Sequence, residues 1–188
     1  MNLPPLILAS ASPRRAELLR QICFEFQVVP ATIAETHNEQ LTARELSLLN
    51  AYRKARAVAK RFPDLLVLGA DTLVYLDTTL FGKPADLAHA HRMLAQLEGR
   101  THRVVTGVCL LQQRTHRERL FAEITEVTFR SLTANQIRLY HGATNPLDKA
   151  GAYAIQERGD LLVESIAGSY TNVVGLPLER LKEELEAW

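Results

Sequence analysis

Two short, continuously apolar runs, Leu6–Ala9 and Leu65–Ala70, limit the folds open to this chain more than any other feature. Each is too short for a helix and too uniformly apolar for a sheet with one face in water. Each therefore reads as a strand buried on both faces. Segments of helical period stand beside them. Ser12 and Pro13 supply an N-cap and a first helical residue for a helix to about Ile22, with Leu18, Leu19 and Ile22 on its buried side. Thr42-Ala-Arg-Glu45 matches a capping box and opens a long helix to about Phe62. Strands alternating with helices point to an α/β protein.

The remainder fits that class with a change of pattern. Phe24–Val29 reads as a strand, and Leu73–Leu76 and Thr79–Phe81 flank a turn. Asp86 caps a helix over Leu87, Ala90, Leu94 and Leu97 that Gly99 ends. Val104–Leu111 and Arg119–Arg130 read as two long paired strands around the polar loop Gln112–Glu118. Thr133-Ala-Asn-Gln136 is a second capping box, before a short helix stopped by Gly142. Leu161–Ile166 and Thr171–Val174 read as short strands, and Gly175-Leu-Pro177 leads into a last helix. The expectation is one α/β domain over residues 1–188, with a mixed sheet flanked by helices and two lobes around a cleft.

Composition removes several functions. Lys and Arg number 22 against 21 Asp and Glu, a net charge of +1, which rules out a bulk electrostatic grip on nucleic acid or an anionic membrane. A local anion site remains open. Cys23 and Cys109 form no CxxC motif or disulfide framework and read as buried thiols. The six histidines contain no HExxH, and no P-loop, GxGxxG or GxSxG motif occurs. No apolar stretch approaches the roughly 18 residues a membrane span needs. The opening residues lack a signal peptide's basic region, so a cytoplasmic protein is expected.

Four segments carry candidate chemistry. Ser10-Ala-Ser-Pro-Arg-Arg15 joins a strand end to a helix start, where unpaired N–H groups, two hydroxyls and two guanidinium forks suit an anion. A capped helix with solvated arginines accounts for the same residues. Gly69-Ala-Asp71-Thr72 puts a carboxylate just after a buried strand, as a metal ligand, a base for water or an Asx-turn residue. Gly82-Lys83-Pro84 offers a loop cation, and Lys54 shares the polar side of its helix with Ser47, Asn50 and Arg61, a solvated face. Asp148-Lys-Ala-Gly-Ala-Tyr-Ala-Ile-Gln156 is rich in small residues and ends on a side chain able to read a base edge.

In order along the chain, these blocks and Val174-Gly-Leu-Pro177 resemble the Maf family of nucleoside triphosphate pyrophosphatases, from Leu6 to Pro177. The resemblance implies an elongated α/β fold with a mixed twisted sheet and a central cleft, often dimeric. It implies hydrolysis of a nucleotide between the α and β phosphates with a divalent metal, Mg2+, Mn2+ or Co2+. It makes Asp71 the proton acceptor. Ser10, Arg15, Lys54 and Lys83 stand at phosphate positions, and Glu35 helps Asp71 hold metal.

Within the family, Arg14, Thr72 and Gln156 match the branch acting on dTTP and UTP and differ from the 7-methyl-GTP branch, which has Trp and Gln at the first two positions. Two departures stand near the site. Arg53 precedes Lys54 where many relatives have Glu or Gln, and Ala34 precedes Glu35 where many have Asp. The expected substrate is a pyrimidine nucleoside triphosphate, with neither nucleic acid nor membrane as partner and a homodimer as the assembly. The alternatives are a 7-methyl-GTP pyrophosphatase and a nucleotide-binding regulator of cell division without useful turnover, the family's name being tied to inhibition of septum formation.

Overall fold

The computed structural model describes residues 5–23, 25–36, 38 and 40–188. Phe24, the first residue of one expected strand, lies outside them. The elements run β1 (Leu6–Leu8), α1 (Pro13–Arg20), β2 (Phe26–Val28), α2 (Ala43–Ala59), β3 (Leu66–Leu76), β4 (Thr79–Phe81), α3 (Leu87–Leu97), β5 (Thr101–Gln112), β6 (Arg117–Phe129), α4 (Ala134–Ala143), β7 (Val163–Ala167), α5 (Tyr170–Val174) and α6 (Leu178–Glu186). The strands form one seven-stranded sheet in the order β2-β1-β3-β5-β6-β7, with β4 on β3. β1 is parallel to β2 and β3, whereas β4 is antiparallel to β3 and β7 to β6, so the sheet is mixed as expected.

Two compact units divide the chain. The first comprises the chain up to Thr72, Val105–Glu123 and Gly175–Trp188. In it β1 and β3 run side by side with Leu6 opposite Leu66 and Leu8 opposite Leu68, and the Ala9 N–H donates to the Leu68 carbonyl at 2.8 Å. The parallel register brings the segments after Leu8 and after Leu68 to the same end of the sheet, where ligands of open α/β sheets collect.

Helix α2 covers one face of this unit. The Thr42–Glu45 capping box forms, and Ile7, Ala9, Ala51, Ala55, Val58, Ala59, Val67, Cys109 and Leu111 make the core beneath the helix. Two glycines let the helix come close. A β-carbon on Gly69 would stand 2.3 Å from the Ala51 carbonyl oxygen, and one on Gly107 would stand 2.4 Å from the Ser47 carbonyl carbon. Ser47 and Asn50 are consequently buried, at 0% and 2% exposure. The solvated face expected for them is not solvated, because the residues beneath are glycines and leave the helix room to sink.

The second unit comprises Leu73–Val104 and Ile124–Val174. Its core packs Val74, Leu76, Phe81, Leu94, Leu97 and Phe129 with Tyr140 and Tyr153. Asp86 caps α3 by accepting from the His89 N–H, and the Thr133–Gln136 capping box forms at α4. Leu87, the first residue of α3, is exposed, whereas Ala90, Leu94 and Leu97 are buried.

The Thr171–Val174 strand expected from β-branched residues is the helix α5. Hydrogen bonds, one local and two to residues distant in sequence, decide it. Gly168 takes a φ of +125°. Ser169 Oγ then accepts from the Asn172 N–H at 3.2 Å, and Asn172 Nδ2 donates to the Val104 carbonyl and to Thr125 Oγ1. Propensity yields to these contacts.

Candidate active site

Successive residues of a strand point to opposite faces. Asp71 and Thr72 do so within β3, which runs on through both, so the carboxylate is set mid-strand and not just past the strand's end. Asp71 faces α2 and Thr72 engages α1. A carboxylate in a strand is tolerable because its oxygens are answered there.

Asp71 is 3% exposed. Its Oδ1 accepts from the Lys54 ammonium at 2.6 Å and its Oδ2 from Asn50 Nδ2 at 3.2 Å. The same ammonium donates to Glu35 Oε1 at 2.7 Å, so it stands between two carboxylates. Burial pushes the Asp71 carboxyl above its ordinary pKa, while Lys54 and then Arg15 pull it back.

Asn50 also grips the segment that carries Glu35. Its Oδ1 accepts from the Thr36 N–H at 2.9 Å and its Nδ2 donates to the Thr36 carbonyl at 3.3 Å. Arg53 Nη1 donates to the Thr36 hydroxyl.

Arg15, in the first turn of α1, is tied from three directions. Nε donates to the Gly175 carbonyl at 2.8 Å, Nη1 to Ser10 Oγ at 3.1 Å and Nη2 to Thr72 Oγ1 at 2.9 Å. Thr72 Oγ1 is also 2.9 Å from Thr106 Oγ1. Each terminal nitrogen keeps a second N–H, and that pair forms the fork that matches phosphate or carboxylate oxygens. Burial lowers the guanidinium pKa, and the charges of Asp71 and Glu35 raise it again. Ser12 is the N-cap residue of α1 but makes no side-chain cap. Its N–H instead donates to Ser10 Oγ at 3.2 Å.

The first unit thus gathers Ser10, Arg15, Glu35, Lys54, Asp71 and Thr72, with Arg14 beside Arg15 on α1. Lys83 and Gln156 belong to the second unit, where both are exposed. There the Gly151 N–H donates to the Gly82 carbonyl at 3.1 Å, which joins the Gly82-Lys83-Pro84 block to the Asp148–Gln156 block. Lys149 is buried. Its ammonium reaches the Asn145 carbonyl at 2.5 Å, Asp148 at 3.0 Å and Glu157 at 3.1 Å, beside Gln156.

Asn50, Thr36, Thr106 and the Gly175 carbonyl were not legible as site groups. Asn50 alone had a usable signal, since it precedes Lys54 by one helical turn and shares its face.

The donor chemistry suits a hard divalent cation. Two carboxylates converge on one cationic group, and Mg2+-type ions take one or two carboxylates together with phosphate oxygens. Among the described residues no group of three or more His, Cys, Asp or Glu side chains converges; the two carboxylates that meet at Lys54 are Glu35 and Asp71.

A family model described as Maf-like protein matches residues 5–188. The chain belongs to the Maf family. Relatives of this Maf protein named dTTP/UTP pyrophosphatase include one from Moorella thermoacetica, 51% identical over 180 residues, covering 96% of this chain and 93% of its own. Another, from Acetivibrio thermocellus, is 46% identical over 188 residues, covering 96% and 94%. In fold, the Maf chain is similar to the Ham1 protein of Staphylococcus aureus, with a TM-score of 0.57 at 16% identity over 97% of this chain and 98% of that one.

Proposed function

We propose that this Maf protein is a nucleoside triphosphate pyrophosphatase that hydrolyses dTTP and UTP between the α and β phosphates to the monophosphate and pyrophosphate. One observation carries the reading: a buried acid, Asp71, lies against the Lys54 ammonium and feels the Arg15 charge. Relatives 43% to 51% identical bear the name dTTP/UTP pyrophosphatase, which supports the substrate.

The residues divide the work by chemistry. Asp71 takes the proton of the water that attacks the α phosphorus. Burial raises its proton affinity toward what a general base at neutral pH requires, and the Lys54 contact fixes its orientation. Arg15, held rigid by Ser10, Thr72 and Gly175, offers its remaining N–H pair to the phosphate chain. Ser10 and Lys54 complete the phosphate contacts. Arg14 and Thr72 set the preference for the pyrimidine edge.

Glu35 and Asp71 would hold Mg2+, Mn2+ or Co2+, which when bound supplies Lewis-acid neutralisation of phosphate charge. Residues 1–188 act as one functional domain. The reading includes a cytoplasmic, homodimeric enzyme that engages neither nucleic acid nor membrane. The near-balanced charge supports the absence of a bulk electrostatic grip on nucleic acid or membrane. No described helix is long and apolar enough to cross a membrane.

The test is a panel of dTTP, UTP, dCTP, dATP and 7-methyl-GTP with each of the three metals, scored for monophosphate and pyrophosphate. Release of dTMP and UMP with pyrophosphate is expected. Diphosphate with orthophosphate, or turnover of 7-methyl-GTP alone, would overturn the reading.

A further inference from the structure

Asn50 is 2% exposed and lies among groups that each need a partner. Two alternative orientations of a carboxamide swap its donor and acceptor ends. Here the choice is forced. The Thr36 N–H can only donate, so the oxygen of Asn50 must face it, at 2.9 Å. The amide nitrogen is then turned toward the two acceptors, the Thr36 carbonyl at 3.3 Å and Asp71 Oδ2 at 3.2 Å. One side chain therefore ties the backbone beside Glu35 to the carboxylate of Asp71. Arg53 adds a second hold from the same helix, on the Thr36 hydroxyl.

We propose that Asn50 is a positioning residue: its carboxamide clamps the Glu35–Thr36 segment to Asp71 and so sets the spacing of the two carboxylates that flank the Lys54 ammonium. The inference rests on the reading of this unit as the phosphate-hydrolysing site, and it extends that reading to a residue that touches no substrate. It also gives Arg53 a task. Together with Asn50 it fixes a segment that here has Ala34, not an acid, before Glu35.

The clamp makes three demands. Loss of the carboxamide must lower kcat more than it raises KM, because the group lost orients Asp71 and does not bind nucleotide. The loss must be coupled to Glu35, because spacing matters only while both carboxylates are present. The Thr36 N–H must also lose protection from exchange, since its acceptor is removed.

The experiment is a double-mutant cycle of Asn50→Ala and Glu35→Gln on the full chain, with kcat and KM for dTTP. Hydrogen exchange of the Thr36 amide is followed alongside. Asn50→Ala should lower kcat about 30-fold with KM within about 3-fold, and should cost about 2-fold or less in the Glu35→Gln background. Thr36 exchange should quicken at least about 10-fold. Asn50→Leu, which keeps most of the volume, repeats the test if the alanine variant does not fold.

Equal losses in both backgrounds, a rise in KM with kcat intact, or unchanged Thr36 exchange would each overturn the proposal. A wild-type chain that hydrolyses no triphosphate would refute the underlying reading instead, and the exchange measurement would still decide the clamp.

Discussion

Gly69 lies so close beneath Ala51 that a β-carbon there would stand 2.3 Å from the Ala51 carbonyl oxygen, with the Ala55 backbone nitrogen at 2.8 Å. The neighbours are helix backbone, which cannot step aside as a side-chain tip can. This close approach brings Asn50 and Lys54, on the same helix, within hydrogen-bonding reach of Asp71, two residues along the strand from the glycine. The glycine before the acid therefore serves the helix above it.

Gly69→Ala should accordingly lose about 3 kcal/mol of stability from overpacking and most of its activity, because the helix must lift Lys54 and Asn50 from Asp71. Urea unfolding and dTTP turnover check this together. An alanine variant with unchanged midpoint would show that the helix does not bear on the strand.

Asp71→Asn should lower kcat by about 100- to 10,000-fold, the range for loss of a general base. Its effect on stability has the opposite sign. Burial holds the folded pKa of Asp71 above its unfolded value, so the ionised form costs stability that grows as pH rises through that folded value. Asparagine carries no such charge. Melting temperatures across a pH series should show the variant gaining on the wild type toward high pH. A variant that melts lower by a constant margin at every pH would contradict the burial argument.

His102 gives an acid limit to stability. Its ring is buried, with Nε2 2.8 Å from the Tyr153 hydroxyl and edge contacts to Phe129 and Tyr153. Burial drives its pKa from 6.5 down to about 4. The unfolded chain binds this proton more readily, so the stabilising contribution is whole above about 6.5 and drains away as pH falls toward about 4. Denaturant unfolding at pH 7 and pH 5 should differ by about 2 kcal/mol from this group alone, a difference that His102→Gln should largely abolish. An equal acid sensitivity in that variant would assign the effect elsewhere.

What could be read beforehand, and what could not, follows from the range of the interactions. Both capping boxes, at Thr42 and Thr133, formed as expected because a cap is settled within four residues. The strands around Leu6 and Leu66 formed because an apolar run that short has few other uses. Asp71 was legible as chemistry but not as a mid-strand residue, since its tolerance there depends on Lys54 and Asn50 arriving from another element. Helix α5 was lost to β-branched composition because its decisive bonds come from Thr125 and Val104, far away in sequence. The burial of Asn50 depends on glycines at 69 and 107, which no periodicity within α2 could reveal.

The central claim, water attacking the α phosphorus under the control of Asp71, is tested most directly by hydrolysing dTTP in water enriched with oxygen-18 and locating the label by mass spectrometry. The account predicts label in dTMP and none in pyrophosphate. Label in pyrophosphate, or in orthophosphate released with dTDP, would contradict it.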